Sequence, residues 1–152
     1  MIAEKLYRQI HREMPIVCVD LVIVRAGAVL LVKRKKEPAA NKFWIPGGRL
    51  FKNESAQLAA RRLALNEVRL TVGSLSFLDY MDCYFEEDPF GHGCGTHSVS
   101  LVFRCEIVQK TNENVRVDEN HSEFMWWNGL GDCFEMPQVL KKVIKKGLKG
   151  ES

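Results

Sequence analysis

An α+β fold is predicted by three features of this sequence. β-branched runs lie before and after a central helical stretch, apolar residues recur at helical spacing in three separate segments, and Gly, Pro and Asn mark the turns between them. Strands placed before, between and after a few helices bury their apolar faces most simply as a layered sandwich.

The elements follow in order. Residues 3–13 read as a short amphipathic helix that Pro15 ends. Residues 16–24 form a β-branched strand interrupted by Asp20, Gly27 marks a turn, and 29–32 is the second strand of a hairpin, leaving through Lys33, Arg34, Lys35 and Lys36. Pro38 to Lys42 is loop, and Phe43 to Ile45 is a short apolar segment stopped by Pro46, Gly47 and Gly48, glycines expected to turn the backbone sharply. A helix capped by Asn53 carries Ala56, Ala59, Ala60, Leu63 and Ala64, with Leu58 and Leu65 alongside, up to Leu70. Strands are expected over 75–85, 99–108 and around 124–127, with a Gly-rich polar loop over 86–95 and a polar loop, VRVDENHSE, before the last strand. A C-terminal helix of about 137–149 has Val139, Leu140, Val143, Ile144 and Leu148 as its apolar stripe. Trp126 and Trp127, adjacent in a strand, are expected to face opposite ways, one inwards and one to solvent or a partner.

Composition narrows the functional classes. The 152 residues make about one domain, and 46% hydrophobic content can bury a substantial core. A net charge of +3 suits anionic small molecules about as well as anything else and is too slight to argue for nucleic acid. No run approaches the roughly 18 apolar residues that span a bilayer, and the charged N-terminus lacks a signal-peptide core, so a cytoplasmic protein without membrane attachment is expected. The five cysteines, Cys18, Cys83, Cys94, Cys105 and Cys133, are odd in number and include no CxxC pair; they read as reduced thiols, three of them with the apolar neighbours of small core residues. His92, Cys94 and His97 are close in sequence, yet no fourth zinc ligand is evident, and 85–97 reads as a substrate-side loop.

The segment PGGRLFKNESAQLAARRLALNEVRL, from Pro46 to Leu70, is a loop feeding a helix. Gly48, Glu54, Arg62, Ala64, Glu67 and Leu70 match the Nudix box in correct spacing, while Leu63, Asn66 and Arg69 stand where ordinary members carry Glu, Glu and Gly. The chain therefore resembles the Nudix hydrolase superfamily, which implies a Nudix-type α/β/α sandwich with a mixed sheet. PIVCVDLVIV, LLVKRKKEPA, FWIPGGR, THSVSLVFR and DENHSEFMW, in that order, are similar to the GDP-mannose mannosyl hydrolase branch, which also lacks the first two glutamates.

The roles that follow are those the resemblance implies. The Gly47 carbonyl and Glu67 would hold Mg²⁺, with Mn²⁺ able to substitute, and Asn120 stands where the branch supplies glutamine. His121 falls on the general base; Arg34, Arg49 and Arg62 fall on conserved arginine positions, Arg34 and Arg49 meeting the diphosphate or leaving group and Arg62 binding substrate through a phosphate contact or giving support, and Asp20 falls on the sugar side. Cys83 replaces a histidine near the sugar, and Glu54, Arg62 and Gly48 support the loop and helix. The implied reaction is attack of water on sugar C1 of a GDP-sugar such as GDP-mannose, in a homodimer. Two alternatives stand beside it: a pyrophosphatase attacking phosphorus in ADP-ribose or another nucleotide sugar, and a non-catalytic nucleotide-sugar binding protein. The setting of His121 in DENHSE predicts a solvated loop histidine.

Overall fold

A computed structural model describes residues 2–108, 114–131 and 135–150. Among them the order is α1 (Glu4–Glu13), β1 (Ile16–Arg25), β2 (Ala28–Arg34), β3 (Phe43–Trp44), β4 (Gly47–Arg49), α2 (Ala56–Val68), β5 (Val72–Phe85), β6 (Thr96–Ile107), β7 (His121–Trp127) and α3 (Gln138–Lys149). The fold is α+β with a mixed sheet, as the sequence predicts.

β1 runs parallel to β6, from Ile16 opposite Ser98 to Val24 opposite Glu106, and β5 pairs antiparallel with β6. Alternation along β1 and β2 sorts the core into two layers. Val19, Leu21, Ile23, Leu30 and Val32 face α2 through Ala59, Ala60, Leu63, Ala64 and Val68. Val22, Val29 and Leu31 face the opposite side, against Leu140, Val143 and Ile144 of α3. The period of two in the strands and of 3.6 in the helices is what makes a helix–sheet–helix sandwich of this chain.

The sheet splits where the site is built. β1 and β2 pair only at the hairpin, Val24 with Val29 and Arg25 with Ala28. Below it, β1 turns its free edge to β4, with Asp20 opposite Gly47 and Cys18 opposite Arg49, while β2 pairs β3 and β7. The Leu21 amide donates to the Pro46 carbonyl at 2.8 Å and so bridges the break.

Several local expectations change. α2 is capped by Ser55, whose Oγ accepts from the Leu58 amide at 3.2 Å; Asn53 lies outside the helix at φ 65° in the preceding turn. The helix ends at Val68 rather than Leu70, with Arg69 in the left-handed region at φ 58°. Gly47 and Gly48 are extended strand residues and supply space rather than a turn. Leu58 and Leu65 are exposed, because the stripe facing the sheet is made of the smaller residues. β5 and β6 begin earlier than expected, and β7 begins at His121, inside the expected loop. Trp127 is buried against the α3 layer, and Trp126, partly buried, packs on the α2 layer under the Arg25 guanidinium at 4.2 Å, so both tryptophans are used internally. Cys83 and Cys105 are buried, Cys18 is partly so and Cys94 is exposed; Cys133 lies outside the described residues. No helix among the described residues is long and apolar enough to cross a membrane.

Candidate active site

A cavity of about 290 Å³ opens beside the split in the sheet. Alternate residues of neighbouring strands form its floor: Cys18 and Asp20 from β1, Ser98 and Ser100 from β6, Cys83 and Phe85 from β5. Arg34 and Arg49 enter from β2 and β4, and Tyr7 and His11 of α1 contribute from above. The cavity is therefore cationic on one side and lined by small polar groups below.

Asp20 and Gly47 are mutually adjusted. A side chain at Gly47 would collide with the Asp20 carboxylate and the Val19 carbonyl, so only glycine lets β4 lie against β1 at this point. Asp20 is buried, and burial raises its carboxyl to about 6, against the lowering effects of a hydrogen bond with Ser100 and the charge of Arg34. Burial likewise pushes the Cys18 and Cys83 thiols up to about 12, so both meet a ligand as neutral thiols.

Arg34 is the hub. Its Nε is buried with no hydrogen-bond partner, an arrangement that costs free energy unless an acceptor arrives. It pairs with His121 across the β2–β7 ladder, past an irregularity between Val32 and Arg34. Arg49 instead lies 4.0 Å over the Tyr7 ring, a contact that holds α1 above the cavity.

Beyond Gly47 lies the acidic corner. Glu67 Oε2 accepts from the Gly47 amide at 2.9 Å. Burial raises its carboxyl to about 8, the Gly47 hydrogen bond lowers it, and the charges of Asp118 and Asp20 raise it further. Leu63, one helical turn before Glu67, is buried in the α2 layer, and its Cδ2 would be 3.0 Å from a Cβ on Gly48. Asn66 is exposed. Glu67 is thus the only acid among the α2 residues Leu63, Asn66 and Glu67.

Asp118, which sequence reasoning missed, joins this corner to His121. The segment leading to it donates to the end of α2, Arg116 N to Val68 O at 3.2 Å and Asp118 N to Glu67 O at 2.9 Å, satisfying helix carbonyls that would otherwise lack partners. Asp118 Oδ1 is 2.7 Å from His121 Nδ1, and its carboxylate also takes the Asn120 backbone amide at 3.0 Å and side-chain amide at 3.1 Å. The DxxH spacing from Asp118 to His121 was the available signal. His121 is 7% exposed and opens β7, contrary to the solvated loop expected. Burial lowers its pKa below the ordinary histidine value, while Asp118 works in the opposite direction.

Glu54 and Arg62 brace the approach to the helix. Arg62 reaches Glu54 with two bonds of 2.7 and 2.8 Å and the Arg49 carbonyl at 3.0 Å, and Glu54 also accepts from the Phe51 amide. The Arg62 guanidinium does not line the cavity. Glu67, Asn120 and His121 also lie outside the cavity lining proper; Gly47 and Arg34 connect them to it.

Among the described residues no three His, Cys, Asp or Glu side chains form a cage for an ion. The chemistry of the corner nonetheless suits a hydrated hard cation. Glu67 is a carboxyl whose ionisation is opposed by burial and two nearby acids, and a cation would reverse that. Glu67 and the Gly47 backbone are the groups joined at this corner, with Asp118 and Asp20 nearby, and a Mg²⁺ ion that keeps several waters needs few protein ligands.

This arrangement has relatives. The chain is 32% identical over 117 residues, 77% of its length and 73% of the relative's, to the low-salt glycan biosynthesis protein Agl8 of Haloferax volcanii. It is 27% identical to an ADP-ribose pyrophosphatase of Methanocaldococcus jannaschii, over 86% of this chain and 74% of that one. Among solved structures, a MutT NUDIX hydrolase from Burkholderia pseudomallei shares the fold with a TM-score of 0.70 at 24% identity, covering 88% of this chain and 98% of that one. The NUDIX domain of Shewanella oneidensis NrtR, crystallised with ADP ribose, gives 0.66 at 17% identity over 98% and 99% of the two chains. The family model for the NUDIX domain matches residues 14–144, spanning every strand described above, and the chain belongs to the Nudix hydrolase superfamily.

Proposed function

We propose that this protein is a Mg²⁺-dependent hydrolase of a nucleoside diphosphate sugar, a GDP-sugar such as GDP-mannose, in which water attacks sugar C1. The observation carrying this reading is the pairing of a single helix carboxylate, Glu67, with a buried His121 bonded to the half-buried Asp118. With Leu63 in the core and Asn66 exposed, α2 lacks further acids at those positions to support attack on phosphorus by a metal-generated hydroxide.

The protein's own groups suffice for the rest. With its Nδ1–H directed at Asp118, neutral His121 carries a lone pair on Nε2 and takes the proton of the attacking water. The water oxygen bonds to C1, the C1–O bond breaks with inversion, and the electron pair leaves on the nucleoside diphosphate. Arg34, through its unpartnered Nε, and Arg49 meet the charge that grows on that leaving group. Asp20 and Cys83 lie on the cavity floor, and in this reading they face the sugar. Glu67, the Gly47 carbonyl and Asn120 would hold Mg²⁺, which would supply further positive charge to the diphosphate.

A second reading, attack on phosphorus in ADP-ribose or another nucleotide sugar, is supported by the Methanocaldococcus jannaschii pyrophosphatase and by the ADP-ribose complex of the Shewanella oneidensis domain. Hydrolysis in ¹⁸O-water with Mg²⁺, over a panel of GDP-, ADP- and UDP-sugars, separates the two. Label in the free sugar supports carbon attack; label in phosphate overturns it. We also propose a cytoplasmic homodimer, which sedimentation with and without nucleotide tests.

A further inference from the structure

Two histidines outside the catalytic corner join the two elements that cover the cavity. His11 of α1 lines the cavity and is 6% exposed; His92 belongs to the loop between β5 and β6. His11 Nδ1 lies 2.8 Å from His92 Nε2. The Phe90 ring stands edge-on to both Tyr7 and His11, at 5.4 and 5.2 Å, fixing the two elements together.

Hydrogen-bond polarity determines where the protons are. The Cys94 backbone amide donates to His92 Nδ1 at 3.1 Å, and an amide cannot accept, so this nitrogen carries no proton. The proton of neutral His92 is then on Nε2, which donates to His11 Nδ1. That nitrogen must in turn be bare, leaving His11 with its N–H on Nε2. Asp88 anchors the loop, its carboxylate accepting the amides of Phe90, His92 and Gly93, with Oδ2 3.5 Å from His92 Nδ1. Burial, and after it the neighbouring His92, lowers the His11 pKa below the ordinary histidine value, while Asp88 raises it. Lys5, Arg8 and Arg12 of α1 share a groove with His92.

We propose that His11 is a substrate-binding residue whose Nε2–H donates to an acceptor atom of the nucleotide sugar, and that His92 is a positioning residue that sets its tautomer. The acceptor sits remote from the Glu67–Gly47 corner. The His92 loop meets the sheet at Thr96, the start of β6, whereas Glu67 is tied to Gly47 opposite Asp20; from Ile16 to Asp20 β1 advances about 13 Å. A donor there selects a sugar hydroxyl oxygen or a base carbonyl or ring nitrogen. This inference rests on the nucleotide-sugar reading of the cavity.

The test is long-range ¹H–¹⁵N spectroscopy of the full chain at pH 8, first without ligand. Both His11 and His92 are expected as Nε2–H tautomers, and a His11 Nδ1–H form overturns the proposal without any variant having to fold. Adding GDP, then GDP-mannose without Mg²⁺, should move the His11 Nε2 resonance; movement with GDP places the acceptor on the nucleotide, movement with GDP-mannose alone on the sugar. A bound nucleotide, shown by calorimetry, that leaves His11 unmoved overturns the donor role while leaving hydrolysis intact. Failure of every nucleotide to bind or react overturns the proposed function and the donor role with it. His11→Ala and His92→Ala should each raise KM about three- to tenfold, the scale of one hydrogen bond, with kcat within about twofold. His92→Gln, whose amide still donates, should recover most of the loss, and its failure to do so overturns the positioning role.

Discussion

Nδ1 of His121 lies 2.7 Å from Oδ1 of Asp118, and the same carboxylate takes the backbone and side-chain amides of Asn120. One acid thus orients both the proposed base and the residue proposed to reach the metal.

His121→Ala should lower turnover by roughly 10²–10⁴ with Mg²⁺ affinity nearly unchanged. Asp118→Asn should cost about 10–100-fold, the usual scale for losing an orienting partner. Because burial holds the His121 pKa below its ordinary 6.5, kcat/KM should be flat above that pH and fall as the base takes a proton on the acid side. Removing the Asp118 charge takes away an influence that raises this pKa, so the acid limb should move further down. Steady-state pH profiles check both; turnover unchanged in His121→Ala would rule out the base.

Glu67→Gln should abolish tight Mg²⁺ binding and most activity, read by calorimetry. It should also make the metal-free protein more stable at pH 8. The folded-state carboxyl is raised from 4.5 to about 8, so between those values the folded state keeps a proton that the unfolded state has released, and stability falls as pH rises. Asp20, raised to about 6, acts in the same direction at lower pH, and His121, lowered, acts oppositely below its ordinary 6.5. Above pH 7 the Glu67 contribution stands clear of both. A gain of about 1–2 kcal/mol is expected for the variant at pH 8, and equal melting temperatures for the two metal-free proteins there would contradict it.

Gly47→Ala should destabilise the fold by about 1–3 kcal/mol, since the added methyl meets the Asp20 carboxylate and the Val19 carbonyl. Asp20→Ala in the same chain should relieve part of that cost. Chemical denaturation of the two single variants and the double variant measures the coupling, and strict additivity would show that Asp20 is not the obstacle.

Arg69→Gly should stabilise by about 0.5–1 kcal/mol, because a side chain held at φ 58° is strained where glycine is not. The Arg69 position is where other Nudix chains carry glycine. No change in melting temperature would mean that the arginine is compensated by contacts of its own.

Much of the fold was legible because alternation in the strands and the 3.6-residue period in the helices are local properties. They located all three helices and the long strands, and they placed Ala59, Ala60, Leu63 and Ala64 against the sheet. Cap residues were less legible: Asn53 and Ser55 are both good caps, and the turn that puts Asn53 at positive φ decides between them. The motif spacing likewise located Gly48, Glu54, Arg62 and Glu67 by number, and the bidentate contact of Arg62 with Glu54 ties those two together across one turn and a loop.

The sequence by itself determined which segments become strands and helices and which residue types stand at the Nudix positions. Tertiary structure alone decided that β1 leaves β2 for β4, that Gly47 is small because Asp20 lies opposite, that Asp118 reaches both Glu67 and His121, and that His11 meets His92. The physical reason is the same in each case. A local pattern specifies which face of an element is apolar, but the burial of a polar side chain, its charge state and its hydrogen-bond partner depend on chain segments brought together only when those faces pack.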